Sequence, residues 1–309
     1  MTVMEHICTP ERDTAVALGV FDGVHIGHQA VIGEAVNGRE DGLLPVVFTF
    51  HMGRQRPVNK RGQDVILTDS LKQQKLSELG VETIYKIHFD EVREFAPEYF
   101  VREILAKSLR AKKIVCGYDF RFGKDAAGDC ELLQRLCAEL GIRAVVVPPM
   151  MEGGEPVSST RIRHCLKSGD ITGANRLLGY EYTIDRKVID GLKNGRKLGF
   201  PTINQEFAPG QLVPRFGVYA SHVLLDGKVY GGVTNIGVKP TIAGVRSPLA
   251  ETFIIGIDRD LYGQHIPVSL FCFLRGEQKF SGLDELSSTV KQNIETVRSM
   301  IQKDHFIIK

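Results

Sequence analysis

The sequence predicts an α/β plus all-β protein, with a doubly wound domain on a parallel sheet followed by a small β-barrel domain. As far as about residue 180, short β-branched apolar runs alternate with segments of helical period. Beyond that point the apolar period shortens towards two, the period of strands. The 309 residues, 43% of them apolar, suffice for two ordinary domains with separate cores. We therefore predict domains over residues 1–180 and 181–309.

Four runs in the first domain have the length and composition of buried parallel strands. They are TAVALGV (14–20), PVVFTF (45–50), KKIVCG (112–117) and RAVVVP (143–148). Helices are predicted from near Gly27, over 97–109, over 128–141 and within 157–170. Pro97 suits a first helical turn, and Gly141 suits a helix end. Strands that alternate with helices imply βαβ units and a doubly wound sheet.

Five runs in the second domain have the period of strands. They are YTIDRKVID (182–190), GVYASHVLL (217–225), KVYGGVTNIG (228–237), ETFIIGI (251–257) and IPVSLFCFL (266–274). Asp226 and Gly227 predict a tight hairpin turn between two of them. The chain closes with a helix whose apolar stripe should pack on the barrel, formed by Leu283, Leu286, Val290, Ile294, Val297 and Ile301.

Composition argues against several classes of partner. The net charge is only +2, so no overall basic field favours nucleic acid or an anionic membrane. The six cysteines include no CxxC pair and are typical of reduced, buried thiols. Neither a signal peptide nor an apolar stretch of about 18 residues is present in the sequence. We expect a cytoplasmic protein that is a monomer or a weak homo-oligomer and acts on small molecules.

The motif GVFDGVHIGH (19–28) lies where the first predicted strand ends and a helix begins. This carboxyl edge is where open α/β sheets bind ligands. His25 and His28 are three residues apart and can share one helix face, and the helix N–H groups add an anion site. A single histidine here would more often cap the helix or pack in the core. Two histidines in HIGH directly after a first strand favour the phosphates of ATP.

A second motif, VSSTRIR (157–163), stands at the start of a predicted helix that follows the strand at 143–148. One of its hydroxyl residues could simply cap that helix. A cap needs only one hydroxyl, however, whereas Ser159, Thr160 and Arg161 together offer hydroxyl, backbone and guanidinium donors. This cluster suits a polyphosphate, including a leaving pyrophosphate.

With GYDFRFG (117–123), these motifs resemble the N-terminal module of prokaryotic bifunctional riboflavin kinase/FAD synthetases. The second half resembles the riboflavin kinase module of the same family in GFPTIN (199–204), GVY (217–219), NIGVKPT (235–241), Glu251, DRDLYG (258–263) and FLRGEQKF (273–280). The similarity spans nearly the whole chain in order. It implies a nucleotidyltransferase-type Rossmann-like domain followed by a riboflavin kinase barrel.

The resemblance implies two reactions. The barrel would transfer the γ-phosphate of ATP to the 5′-hydroxyl of riboflavin, which gives FMN. The first domain would then adenylylate FMN with a second ATP, which gives FAD and pyrophosphate. Mg2+ is the implied cofactor. Neither step needs a covalent enzyme intermediate, because in-line transfer depends mainly on positioning and charge neutralisation.

The same resemblance implies roles for individual residues of the first domain. The ATP-phosphate residues would be Gly23, His25, His28, Ser159, Thr160 and Arg161. The two histidines would stabilise charge while the α-phosphorus is transferred. Asp119 would contact the flavin or the nucleotide, whereas Phe120 and Phe122 are expected to pack in the core.

In the kinase domain, the resemblance places Thr202 and Asn204 at the family's magnesium–ATP positions, and both have side-chain oxygens of the kind that a hard cation accepts. Gly199 in the same motif would lie against phosphate. Glu251 matches the general base that takes the 5′-hydroxyl proton. The preceding loop GLKNGRKLGF (191–200) fits either a flap over phosphates or an ordinary solvated hairpin.

One motif departs from the family pattern. After FTF the family usually carries one acidic residue and a proline-histidine-proline element, but this chain has FTFHMGRQRP (48–57), with His51 in place of the acid. We hypothesise that Arg54 and Arg56 supply the lost positive contact. The departure leaves an alternative function, in which the chain is a riboflavin kinase only and its first domain merely binds flavin or nucleotide, or regulates.

Two other enzyme classes share part of the pattern. HIGH also marks class I aminoacyl-tRNA synthetases, but no KMSKS-like motif follows it here. Other small nucleotidyltransferases carry HIGH and STR without a C-terminal barrel. The barrel motifs therefore argue against them.

Overall fold

The structure is a computed structural model that describes residues 1–51, 64–191, 199–240 and 246–304. Its chain divides into two compact units, Met1–Ser159 and Thr160–Lys309. Residues 52–57 of the departing FTFHMGRQRP motif and most of the 191–200 loop lie outside the described residues. The boundary at 180/181 stays a prediction for the two functional modules. No helix in the described part of the chain has both the length and the apolar character that crossing a membrane requires.

The first unit is built on a six-stranded parallel sheet with the order β1-β4-β3-β2-β5-β6. The strands are β1 Thr2–Met4, β2 Thr14–Leu18, β3 Leu44–His51, β4 Thr83–His88, β5 Ala111–Gly117 and β6 Arg143–Val147. A short hairpin, β7 Met151–Glu152 and β8 Glu155–Pro156, follows. The chain runs outward from β2 through β3 to β4 and returns on the other side of β2 with β5. This reversal is a topological switch point, where loops at the strand ends leave room for a ligand.

Helices cover this sheet and bury its central strands. They are α1 Ile26–Val36, α2 Asp69–Glu78, α3 Phe89–Val92, α4 Pro97–Tyr99 and α5 Cys130–Glu139, with 3-10 turns at Asn37–Asp41 and Lys124–Ala126. From Phe100 to Ser108 the predicted helix continues with the wider π-helical hydrogen-bond pattern. Strand β2 is buried along its whole length, as the continuous apolar run predicts for a covered parallel strand.

The second unit contains the predicted antiparallel barrel. Its strands are β9 Tyr182–Lys187, β10 Thr202–Glu206, β11 Gly217–Leu225, β12 Lys228–Pro240, β13 Arg246–Ile254 and β14 His265–Arg275. Their order is β10-β13-β12-β11-β14-β9. A bridge between Ile189 and Asn204 joins the two ends of this sheet, so the strands curl into a small barrel. Asp226 and Gly227 form the predicted hairpin turn with φ values of 50° and 74°.

The described residues after the first unit's sheet include the helices α6 Ser159–Ser168, α7 Ile171–Leu178 and α8 Leu283–Asp304. The predicted stripe of α8 packs on the barrel sheet, where Ile294 and Val297 are buried against Val218 and Val233. Leu283 is an exception, and its assignment to the core was wrong. As the first residue of α8 it is 67% exposed, because the helix begins before it reaches the sheet.

Two candidate active sites

The turn between β2 and α1, residues 19–25, leads into the HIGH motif and has a strained conformation. We call it the HIGH turn. Phe21 and Val24 adopt positive φ angles of 52° and 36°, which are unfavourable for side chains of this size. Gly23 has a φ of 83°, and a Cβ there would lie 3.0 Å from Ile66 Cδ1. Glycine therefore meets both the backbone and the space requirement at this position. Such a turn persists only when its surroundings hold it.

Contacts from three other segments hold this turn. Asp22 Oδ1 accepts a hydrogen bond from the Ile66 N–H at 2.9 Å. Ser159 Oγ donates to the Asp22 carbonyl at 2.8 Å, and Thr49 Oγ1 donates to the Val20 carbonyl at 3.0 Å. These bonds join β3, the segment before α2 and Ser159, the last residue of the first unit, to one turn. These bonds therefore also fix the position of His25 and His28, which follow in the chain.

The two histidines of the motif form a stacked pair. Their ring centroids lie 3.6 Å apart with an interplanar angle of 17°. His25 is the N-cap of α1, and its Nδ1 accepts the backbone N–H of His28 at 3.3 Å. Neutral His25 must therefore carry its proton on Nε2, which is a donor. Capping uses Nδ1 and phosphate binding would use Nε2, so the two roles are compatible.

Gly27 makes room for this pair. A Cβ at Gly27 would lie 3.2 Å from His25 Cε1 and 3.3 Å from its Nδ1. Contacts of this length force a neighbouring group to move. The glycine of HIGH therefore sets where the His25 ring can lie.

The GYDFRFG motif follows β5, on the other side of the switch point from the HIGH turn. Asp119 is exposed there, at the same carboxyl edge of the sheet. Phe122 is buried in the main core and Phe120 packs partly buried against that core, with their rings 5.7 Å apart. The expectation that both phenylalanines pack is confirmed.

The VSSTRIR motif begins α6, as predicted. Ser159 is buried, and its hydroxyl proton is used in the bond to the Asp22 carbonyl. Thr160 is exposed and Arg161 is half-buried on the next two positions of the helix. Ser159 thus contributes to holding the HIGH turn, a role that the sequence did not indicate.

His51 stands at the position where the resemblance implies an acid. It ends β3 and stacks on His88, with ring centroids 4.9 Å apart. Burial, followed by the positive charge of Lys86, lowers the pKa of His51 below its ordinary value. His51 is therefore neutral at pH 7 and replaces the acid without adding a cation.

The second site is a row of polar residues across the barrel. Asn204 on β10 is paired with Glu251 on β13, which in turn is paired with Asn235 on β12. Residues directly opposite one another in antiparallel strands share one face of the sheet. Thr202 lies two residues before Asn204 and so shares that face. The structure thus brings together the three predicted kinase residues and adds Asn235, which the sequence indicates only as part of the NIGVKPT motif.

Asn204 has the features of a ligand-binding amide. It is only 6% exposed, and its Oδ1 is enclosed. Within the described ranges, no donor lies at hydrogen-bond distance from this oxygen. A buried amide oxygen without a partner costs about 1–3 kcal/mol, so its retention needs an explanation. Amide and hydroxyl oxygens are ligands that a hard divalent cation accepts.

A cleft opens beside Thr202. Pro201, Ile254, Leu261 and Tyr262 are among the residues that line it, and the last two belong to DRDLYG. Gly199 precedes it in the chain with a φ of 79°. The cleft thus lies next to the polar row.

Two different family models of known proteins match the two parts of the chain that contain these sites. The FAD synthetase family model matches residues 8–161, and the riboflavin kinase model matches residues 178–301. The bifunctional riboflavin kinase/FMN adenylyltransferase of Bacillus subtilis (strain 168) is 35% identical over 305 residues, with 95% of this chain and 94% of that protein covered. This chain belongs to the bifunctional riboflavin kinase/FMN adenylyltransferase family. The family member from Escherichia coli (strain K12) is 37% identical over 300 residues, with 94% and 93% covered.

A solved structure shares the fold of the chain described here along nearly its full length. It is a crystal structure described as a macrolide-efflux protein from Streptococcus pneumoniae, with a TM-score of 0.85 and 28% identity. The match covers 96% of this chain and 99% of that one. The likeness supports the order of an α/β unit followed by a barrel, and the efflux description belongs to that protein alone.

Proposed function

We propose that this chain phosphorylates riboflavin to FMN at the polar row of the barrel and adenylylates FMN to FAD at the HIGH turn, each time with ATP. The observation that carries the proposal is the presence of two separate polar sites. One is the HIGH turn at a sheet switch point, and the other is the Asn204–Glu251–Asn235 row of the barrel. Each lies within the matching family model. The kinase-only alternative is not favoured, because the first unit matches the FAD synthetase family.

For adenylylation, an oxygen of the FMN phosphate attacks the α-phosphorus of ATP, and the bond from that phosphorus to pyrophosphate breaks. His25 Nε2–H and the His28 ring stabilise the charge that develops there, together with the N-terminus of α1. The binding of the leaving pyrophosphate by Thr160 and Arg161 stays a prediction from the VSSTRIR motif. Because the Ser159 hydroxyl already donates to Asp22, a phosphate contact from Ser159 uses its backbone N–H.

The other predicted contacts of the first unit follow from its switch point. Gly23 would let the backbone of the turn face phosphate, because glycine tolerates the positive φ of 83° at this position. Asp119 contacts the flavin from the loop after β5. Both residues lie at the carboxyl edge of the parallel sheet.

For the kinase step, Glu251 accepts the proton of the riboflavin 5′-hydroxyl as that oxygen attacks the γ-phosphorus, and the bond to ADP breaks. Thr202 and Asn204 would hold Mg2+ through their side-chain oxygens, and the enclosed Asn204 Oδ1 fits that role. When bound, Mg2+ would neutralise charge on the phosphates. The backbone at Gly199 would lie against those phosphates.

Product analysis tests this function. Purified protein is incubated with Mg2+ and ATP, once with riboflavin and once with FMN, and the flavins and pyrophosphate are separated and measured. We expect FMN and FAD from riboflavin, FAD and pyrophosphate from FMN, and loss of both reactions on chelation of Mg2+. Formation of FMN without FAD would show the kinase activity only. Formation of neither product would overturn the proposal.

The cytoplasmic location, the small-molecule partners and the monomeric or weakly oligomeric state stay predictions.

Gly27→Ala should lower the rate of FAD formation about tenfold, because the added methyl group displaces the His25 ring from the phosphates. FMN formation should not change. Gly33→Ala on the same helix is the matched control, since a Cβ there meets nothing within 4 Å. That control should keep full activity and stabilise the helix by about 0.5–1 kcal/mol. Equal FAD rates in the two variants would show that ring placement is unimportant.

A further inference from the structure

Lys72, which belongs to none of the sequence motifs, lies against the base of the HIGH turn. It belongs to the first turn of α2, and its Nζ donates to the Val20 carbonyl at 2.5 Å and to Thr49 Oγ1 at 2.9 Å. Thr49 Oγ1 in turn donates to the same Val20 carbonyl. A single ammonium group therefore joins the end of β3, the start of α2 and Val20, near the start of the HIGH turn.

Burial disfavours an ammonium group at Lys72, whereas two neighbouring carboxylates favour it. Burial lowers the pKa of Lys72 to about 8, against the opposing effect of Asp22 in the turn and Asp69 on α2. Lys86 on β4 lowers the pKa further, although it is itself paired with Asp69 at 2.8 Å.

This lowered pKa means that the charged lysine costs stability. Between about pH 8 and pH 10.5 the unfolded chain binds more protons at Lys72 than the folded chain does. Stability therefore rises with pH through that window, and below it the cost is fully present. Groups that reduce stability at the ligand edge of a sheet are characteristic of functional sites.

We infer that Lys72 is a positioning residue for adenylyl transfer, which fixes the Val20 carbonyl and thereby the turn that presents His25 and His28. The inference rests on the proposed adenylyltransferase activity. Val20 directly precedes Phe21, the first residue of the turn with a positive φ. A rotation of the Val20 peptide would change the direction in which the whole turn leaves the sheet.

Lys72→Met separates this role from a purely structural one. Methionine keeps the apolar stem and removes the ammonium, while the Val20 carbonyl keeps its hydrogen bond from Thr49. The desolvation cost of the charge also disappears. If Lys72 were purely structural, the Lys72→Met protein would be less stable than the wild type. If Lys72 positions the turn, the Lys72→Met protein folds but its HIGH turn is misplaced.

The experiment measures kcat and KM for FAD formation from FMN, the rate of FMN formation from riboflavin, and Tm. We expect Lys72→Met to lower kcat for FAD formation about 10- to 100-fold, with KM for ATP changed less than about threefold. FMN formation should stay at the wild-type rate and Tm should not fall. Lys75→Met is the matched control, because its Nζ pairs with exposed Glu78 on the same helix and it should match the wild type.

A pH profile adds a second readout. The wild-type kcat for FAD formation should decline as the pH rises through about 8, where Lys72 loses its proton. FMN formation, measured with the same Mg2+ and ATP, should lack that decline. Lys72→Arg, which stays protonated, should move the decline to higher pH.

The outcomes distinguish the inference from the function on which it rests. An unchanged kcat in Lys72→Met, or equal losses of FAD and FMN formation with a lower Tm, would overturn the positioning role while the proposed function stands. Absence of FAD formation in the wild type would overturn the proposed function and this inference with it.

Discussion

Glu251→Gln should abolish FMN formation from riboflavin while FAD formation from supplied FMN continues at the wild-type rate. Glutamine keeps the shape and the pairing position between Asn204 and Asn235 but cannot accept a proton. Loss of a general base typically costs about 10²- to 10⁴-fold in rate. The measurement is the initial rate of each product, by chromatography, in separate reactions that start from riboflavin and from FMN.

The matched control is Glu295→Gln. Glu295 is an exposed carboxylate on α8 that pairs with Arg298 at 2.6 Å. It has no part in either proposed reaction. Its replacement should change neither rate. Retention of FMN formation in Glu251→Gln would remove the residue from the role of base. Loss of both products in a folded Glu251→Gln protein would contradict the assignment of the two reactions to separate sites.

The parallel sheet was predictable where its strands are long and apolar. The runs that became β2, β3, β5 and β6 are continuous and β-branched, so local composition was enough to place the HIGH turn at the carboxyl edge. Strand β1 is only three residues long and exists because Thr2, Val3 and Met4 pair with β4. Local sequence contains no information about such a partner.

Strand β10 shows how tertiary contacts override composition. TINQE carries polar residues at consecutive positions, a composition that does not predict a strand. Gln205 is nevertheless fully buried, because its amide donates to the carbonyls of Arg186 and Ile266 at 2.6 and 2.7 Å. A buried polar side chain is tolerated when its donors find partners on the closing strands.

The candidate sites were predictable to different depths. The family motifs indicated His25 and Glu251, but Lys72 lies in DSLKQQKLSE, whose composition is typical of an exposed polar helix. Only the approach of α2 to the end of β2 brings its ammonium to the Val20 carbonyl. Positioning residues of this kind act through packing between distant segments, so neither periodicity nor motif spacing indicates them.

His28→Ala should have the opposite effect to Glu251→Gln, with FAD formation lost and FMN formation retained. The variant removes an imidazole that stacks on His25 at 3.6 Å, while the His28 backbone N–H that caps onto His25 Nδ1 remains. The helix start is therefore preserved, which His25→Ala would not do, because loss of an N-cap costs about 1 kcal/mol by itself. Removal of one donor that stabilises transition-state charge typically costs about 10²- to 10³-fold.

His6→Ala, at an exposed histidine of the same unit, controls for the loss of an imidazole and should leave both rates unchanged. If His28→Ala made FAD at the wild-type rate, the HIGH turn would have no part in phosphate chemistry. If it lost FMN formation as well, the two units would depend on each other for activity. Opposite losses in His28→Ala and Glu251→Gln would instead require two independent sites, since a single shared site cannot lose one reaction at a time in both directions.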